Sequence, residues 1–348
     1  MNHPEKNQKV SKWREALTGV SYLNAYDSNT CVDEATMVKE AVGEISDELF
    51  TEHFRDHVGD IVGMRSHMEG LSSLLEMESE EEVKIIGISG MGGVGKTTIA
   101  KCLYRQCSRQ FEAHCFLNVK EIFRQRESLL YLQEYFLFKI LGIEHIKLAN
   151  AEAGSNEIKT RLQHQKVFVV LDDVDQTKQL QGLAKDTSWF FPGSRIIITT
   201  RDKGLLQECG VETVYTVKCL DKEHALQRFK QIVFEGIPPP DGLEQLLGRA
   251  SQLAYGLPSA LTDYSQLFLD WGIRTKTKEE LEEAVRKFEE VPQETIVDIL
   301  KSSYTCLSRM VRIAFLHIAC LFNGDPILSV LKVKLDFGSS LIIGSIIQ

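Results

Sequence analysis

The chain has 348 residues, 43% of them hydrophobic and 26% charged, which is apolar material for a core of ordinary size in about two or three domains. Its formal charge of -9 disfavours nucleic acid as the main partner, because a phosphate backbone calls for a basic face. No run approaches the roughly 18 apolar residues of a membrane span, and the polar amino terminus lacks the apolar stretch of a secretory signal. The eight cysteines form no C-x-x-C pair, and several sit inside apolar runs, which suggests reduced, buried thiols and a reducing compartment.

In chain order, residues 11–50 carry two helical patterns. Trp13, Leu17, Val20 and Leu23 form the first, and Met37, Ala41, Ile45 and Leu49 the second, with Asp33 as its N-cap. Two helices make a poor domain alone, so this segment reads as a tail or a linker brace. His53 and His57 lie four apart in a charged connector but lack a third ligand nearby, and are read as solvated rather than metal-binding. The run Asp60–Met64 predicts a strand and turn, followed by a helix with Met68, Leu71, Leu74 and Leu75 on its buried stripe. An acidic stretch, Glu76 to Glu82, leads to the segment that organises the chain.

That segment is VKIIGISGMGGVGKTT, Val83 to Thr98. Val83, Ile85, Ile86 and Ile88 predict a buried parallel strand, and a helix is expected to begin near Lys96. Between them, Gly90, Gly95, Lys96 and Thr97 fit G-x-x-x-x-G-K-S/T. Gly90, Met91, Gly92, Gly93, Val94, Gly95, Lys96, Thr97 and Thr98 are therefore the candidate nucleotide-binding loop. Its glycines free the backbone to turn N–H groups around phosphate oxygens, and the helix start adds unsatisfied donors and a positive dipole end. Lys96 can place an ammonium between the β- and γ-phosphates, and Thr97 can offer a hydroxyl to Mg²⁺.

Further strands are expected at Cys115–Val119, Val167–Leu171, Ile196–Thr200 and near Val214–Val217, with a helix carrying Leu129, Leu132, Phe136 and Ile140. This alternation predicts an α/β fold, a parallel sheet with helices on both faces, whose ligands bind beyond the carboxyl ends of the strands. Asp172 ends one apolar strand, the place for a carboxylate that holds Mg²⁺ through water. Asp173 either polarises an attacking water as a base or caps the next helix. Arg201 either senses a γ-phosphate or forms a surface salt bridge, and Arg195, at the far end of its strand, is structural. His317 reads as a core or helix-face residue.

From residue 241 the pattern turns purely helical. Leu243, Leu246, Leu247, Ala250 and Leu253 fit one helix ended by Gly256, and Pro258 suits the first turn of the next. Thr277 and Glu280 fit a capping box before Leu281, Ala284, Val285 and Phe288. Helices are also expected near Thr295–Leu307 and Val311–Leu321.

GMGGVGKTT, KVFVVLDDVD, PGSRIIITTRD, the Gly256–Pro258 tripeptide and FLHIACLFNG resemble, in order, the motifs of the NB-ARC module of plant disease-resistance receptors. Asp175 at the close of LDDVD is similar to the Toll/interleukin-receptor (TIR) class. KVSKWREALTGVSYLNAYDS looks like the end of a TIR domain. The resemblance implies four segments: residues 1–58, a TIR remnant and linker; 59–238, a P-loop NTPase domain; 239–292, a helical ARC1 domain; and 293–348, a partial winged-helix ARC2 domain. It also implies ADP in a resting state, ATP in an active one, Mg²⁺, Ile61, Val62 and Gly63 flanking adenine, and Pro258 contacting the nucleotide. Partners would be other immune receptors or a second copy, and the compartment the cytoplasm, with the nucleus as a second one.

Several features depart from the family. No Met-His-Asp sequence is present, Ser259 replaces a leucine, and Phe191 stands where glycine is common. NAD cleavage is not expected, because the TIR catalytic part is missing. The sequence thus supports a nucleotide switch in defence signalling that is at most a weak ATPase. An adaptor with a decayed site, pairing with a full-length receptor, and a steadily cycling ATPase stand as alternatives. A GTPase is disfavoured, since neither N-K-x-D nor T-K-x-D occurs.

Overall fold

Runs of isoleucine and valine suit strands that are covered on both faces. In the computed structural model, which describes residues 61–142, 146–235, 237–240 and 242–290 with the isolated positions 301, 304, 312, 313 and 316, they build a five-stranded parallel sheet. Its strands are β1 (Lys84–Ser89), β2 (Ala113–Asn118), β3 (Val167–Val174), β4 (Arg195–Thr200) and β5 (Thr213–Thr216). Their order across the sheet is β2-β3-β4-β1-β5, and every neighbouring pair is parallel. Every residue of β4 is buried, and so is every residue of β3 except Asp173.

Eleven α-helices surround or follow the sheet among the described residues. They are α1 (Met64–Leu75), α2 (Lys96–Cys107), α3 (Val119–Arg126), α4 (Leu129–Leu141), α5 (Ala151–Leu162), α6 (Thr177–Leu183), α7 (Lys203–Glu208), α8 (Lys222–Phe234), α9 (Glu244–Gln252), α10 (Pro258–Asp270) and α11 (Lys278–Glu290). One large core joins β2, β3 and β4 to α3, α4, α5 and α6 through Leu117, Val169, Phe123, Phe136, Ile158 and Leu180. On β1, Gly87 lets α7 lie close to the sheet, since a Cβ there would overlap the side chain of Leu206. Cys102, Cys107 and Cys115 are free and buried, and burial pushes the Cys115 thiol up to about 12, so they serve packing.

The helical region packs as its periodicity requires. Phe229 of α8 meets Phe268 of α10 edge to face, with ring centroids 5.6 Å apart. Pro258 occupies the first turn of α10. Thr277 and Glu280 form the expected reciprocal cap before α11, which buries Leu281, Ala284 and Val285.

Five expectations change. Residues 61–63 form a turn rather than a strand, and Met64, not Leu74, completes the buried stripe of α1. Strand β2 starts at Ala113, and Val119 already belongs to α3. Strand β3 runs past Leu171 through both aspartates, because its ladder to β4 resumes at Val174 after a register shift. Asp173 does not cap the next helix: Gln176 and Gln179 form that cap. The TIR-like segment, His53, His57, Pro292 and His317 lie outside the described residues, as does most of 291–348, where positions 301, 304, 312, 313 and 316 are helical.

Candidate functional site

The strand order places β4 between β1 and β3, so the loop after β1 and the aspartates of β3 face each other across the carboxyl end of β4. The loop turns on Gly90, Gly93 and Gly95, all with positive φ (157°, 76° and 104°). At Gly90 a Cβ would lie 2.8 Å from the Val217 carbonyl oxygen, so a side chain is excluded there by space as well as by conformation. Helix α2 starts at Lys96, which is only 7% exposed. Its ammonium folds back over the loop and donates to the carbonyls of Gly90 and Met91, both at 2.8 Å. Met91, Gly93 and Thr97 are exposed, Gly92 and Val94 are buried, and Thr98 is half-buried.

Thr97 Oγ1 lies 3.0 Å from both carboxylate oxygens of Asp172. Thr199 of β4 donates to the same carboxylate at 2.6 Å. Asp172 is 2% exposed, and burial pushes its carboxyl up while the two threonine hydroxyls pull it back. Asp173 sits at φ 52°, in the left-handed region, with its N–H donating to Thr199 Oγ1 at 2.8 Å. A bulge of this kind re-aims a side chain. Here Asp173 Oδ1 lies 3.8 Å from Arg201 Nε, and Asp173 Oδ2 lies 3.5 Å from Lys120 Nζ.

The helical region reaches this loop directly. Ser259, next to Pro258 in the first turn of α10, donates its N–H to the Gly93 carbonyl at 3.1 Å. The Ser259 hydroxyl is buried without a hydrogen-bond partner. Leu220 donates to the Gly256 carbonyl at 2.8 Å and its side chain lies beside Gly63, so one residue joins the turn at Gly63 to Gly256, two residues before Pro258. Further round, His67 of α1 bonds Tyr215 of β5 at 2.8 Å, which fixes α1 on the sheet edge.

A family model matches residues 65–237, and it is that of the NB-ARC domain. The chain carries an NB-ARC domain. It is 35% identical over 323 residues to the disease resistance protein RML1B of Arabidopsis thaliana, covering 91% of this chain and 31% of that protein. With the disease resistance protein RUN1 of Vitis rotundifolia it shares 37% identity over 319 residues, 91% of this chain and 23% of that one. The chain thus spans under a third of the length of these relatives. Among solved structures, the Aeropyrum pernix ORC2 protein aligns with a TM-score of 0.49 and 13% identity, over 78% of this chain and 85% of that chain.

As an NB-ARC module with a P-loop, the domain is a nucleotide-binding one. Its residues fit the groups that such a module takes. The Lys96 ammonium fills the cradle of the loop by bonding two carbonyls, contacts that phosphate oxygens can replace. Thr97 and Asp172 present a hydroxyl and a carboxylate side by side, a hard-oxygen donor set of the kind that holds Mg²⁺. Two residues that contact the loop or its neighbouring aspartates carried little signal in the sequence. One is Ser259, legible only as a departure from the family. The other is Lys120, whose single signal was a lysine directly after an apolar strand. No helix of the described residues is long and apolar enough to cross a membrane.

Proposed function

We propose that the chain is an ADP- and ATP-binding switch module in plant defence signalling, with hydrolysis slow or absent. The observation that carries the reading is the junction of Lys96, Thr97 and Asp172, a buried ammonium and a metal-type oxygen pair at the mouth of one loop. In this reading the loop N–H groups and Lys96 hold the β-phosphate, and Lys96 reaches on to the γ-phosphate. Thr97 and Asp172 hold Mg²⁺, which neutralises phosphate charge. Ile61, Val62 and Gly63 flank the adenine, Arg201 answers the γ-phosphate, and Asp173 is the base available for hydrolysis. Pro258 and the bonded Ser259 carry the state of the loop into the helical region, which supports a switch rather than a steady ATPase. Partners are other immune receptors or a second copy of the chain, in the cytoplasm. Titration calorimetry with ADP, ATP and GTP in the presence of Mg²⁺ tests this reading. Adenine nucleotides are expected to bind and GTP to bind far more weakly. A protein that binds no adenine nucleotide overturns the reading and favours an adaptor.

A further inference from the structure

Asp173 is held from three sides. Each of its carboxylate oxygens faces a different cation, Oδ1 towards Arg201 at 3.8 Å and Oδ2 towards Lys120 at 3.5 Å. Its backbone is fixed at φ 52° by the bond from its N–H to Thr199. Lys120 is delivered by the sheet itself. Asn118, the last residue of β2, stands opposite Asp172 of β3, and Lys120 follows two residues later in the first turn of α3. Its side chain is 15% exposed, against 27% for each of Asp173, Asp175 and Arg201. It is tied on the other side to Asp175, at 3.4 Å. Lys120 therefore grips two carboxylates two residues apart, across the bulge of β3.

We propose that Lys120 is a positioning residue that restrains hydrolysis by keeping Asp173 paired, and this rests on the nucleotide reading above. A general base must point a free oxygen at the water it activates. With Oδ1 and Oδ2 each turned to a cation, Asp173 does not do so. Arg201 is drawn from Asp173 when a γ-phosphate offers it a stronger partner. Lys120 is not, because Asp175 anchors it from behind, so the carboxylate stays turned towards Lys120 after Oδ1 is released instead of swinging to the water. The step under restraint is the attack of water on the γ-phosphorus. The water oxygen bonds to phosphorus, its proton passes to Asp173, and the bond to the β,γ-bridging oxygen breaks with its electron pair leaving on ADP.

Single-turnover ATP hydrolysis by the full chain tests this, with ATP affinity measured on the same samples. Lys120→Met is expected to speed turnover by up to about a hundredfold, the low end of what a freed general base adds, with affinity unchanged. Lys120→Arg, which keeps the charge, returns the rate towards that of the wild type. Lys120→Met combined with Asp173→Asn abolishes the gain. Lys120→Gln, with its shorter uncharged stem, repeats the experiment if the methionine variant does not fold. A separate readout needs no turnover: amine-reactive labelling of Lys120, mapped by mass spectrometry without nucleotide, rises several-fold when Asp173 and Asp175 are both changed to Asn. Unchanged or slower turnover in Lys120→Met with normal ATP binding overturns the proposal. So does a gain that survives Asp173→Asn, or labelling that ignores both aspartates. A wild-type chain that binds no ATP overturns the nucleotide reading itself, and the restraint with it.

Discussion

At the amino end of β4, Arg195 is fully buried and donates to the carbonyls of Leu75, Glu76, Ser79, Glu82 and Ser194 at 2.5–3.0 Å. At the carboxyl end of the same sheet, Asp172 and Lys96 are 2% and 7% exposed, and their partners are threonine hydroxyls and two loop carbonyls. Both ends bury charge, which is costly unless the charge is fully hydrogen-bonded. At the amino end the partners are backbone carbonyls fixed by the end of α1 and the acidic connector, and nothing can replace them without unfolding that segment. At the carboxyl end the partners are exchangeable for phosphate oxygens and a cation. A buried charge is a structural bolt where its partners cannot leave, and a ligand site where they can.

The largest effect that separates the two ends is expected from Arg195→Met. It strands five carbonyls in a buried site and is expected to cost about 3–5 kcal/mol in chemical denaturation. A loss below about 1 kcal/mol would mean that water enters and satisfies them. Lys96→Ala is expected to do the reverse. It should weaken ADP binding by about 2–4 kcal/mol, as loss of a charged partner does, while changing ligand-free stability by less than about 1 kcal/mol. Calorimetry and denaturation on the same preparation check both halves. A stability loss as large as that of Arg195→Met would erase the contrast.

The smallest effect concerns Asp172. Burial raises its carboxyl above the unfolded value, so its contribution is full at low pH and is lost as pH rises through the folded value. At neutral pH the ionised group therefore burdens the ligand-free protein. Asp172→Asn is expected to melt a little higher than the wild type at neutral pH, with the difference closing in acid, and to lose the response of nucleotide binding to Mg²⁺. Melting curves across pH, with and without Mg²⁺, would contradict this if the variant melted lower at every pH.

The same contrast decides what the sequence made legible. The phosphate loop could be read because strand, glycines and Lys96-Thr97 are contiguous, and Arg195 could be assigned a structural role from its place at the start of an apolar strand. The cap formed by Gln176 and Gln179 could not, because glutamine rarely takes that part and Asp173 stood closer to the usual cap chemistry. The extension of β3 through Asp172 and Asp173 depends on its ladder with β4, a pairing between residues far apart in the chain. The turn at 61–63 is apolar, so periodicity alone suggested a strand, whereas Gly63 at φ 79° starts α1. Lys120 and Ser259 gained meaning only once β2 was beside β3 and α10 was against the loop.

The most direct measurement is to denature the purified protein and identify any released nucleotide by chromatography, with its molar ratio to protein. ADP close to one per chain is the expected result. An empty protein that also fails to bind added ADP or ATP would contradict it, and the loop around Lys96 would then be a structural turn.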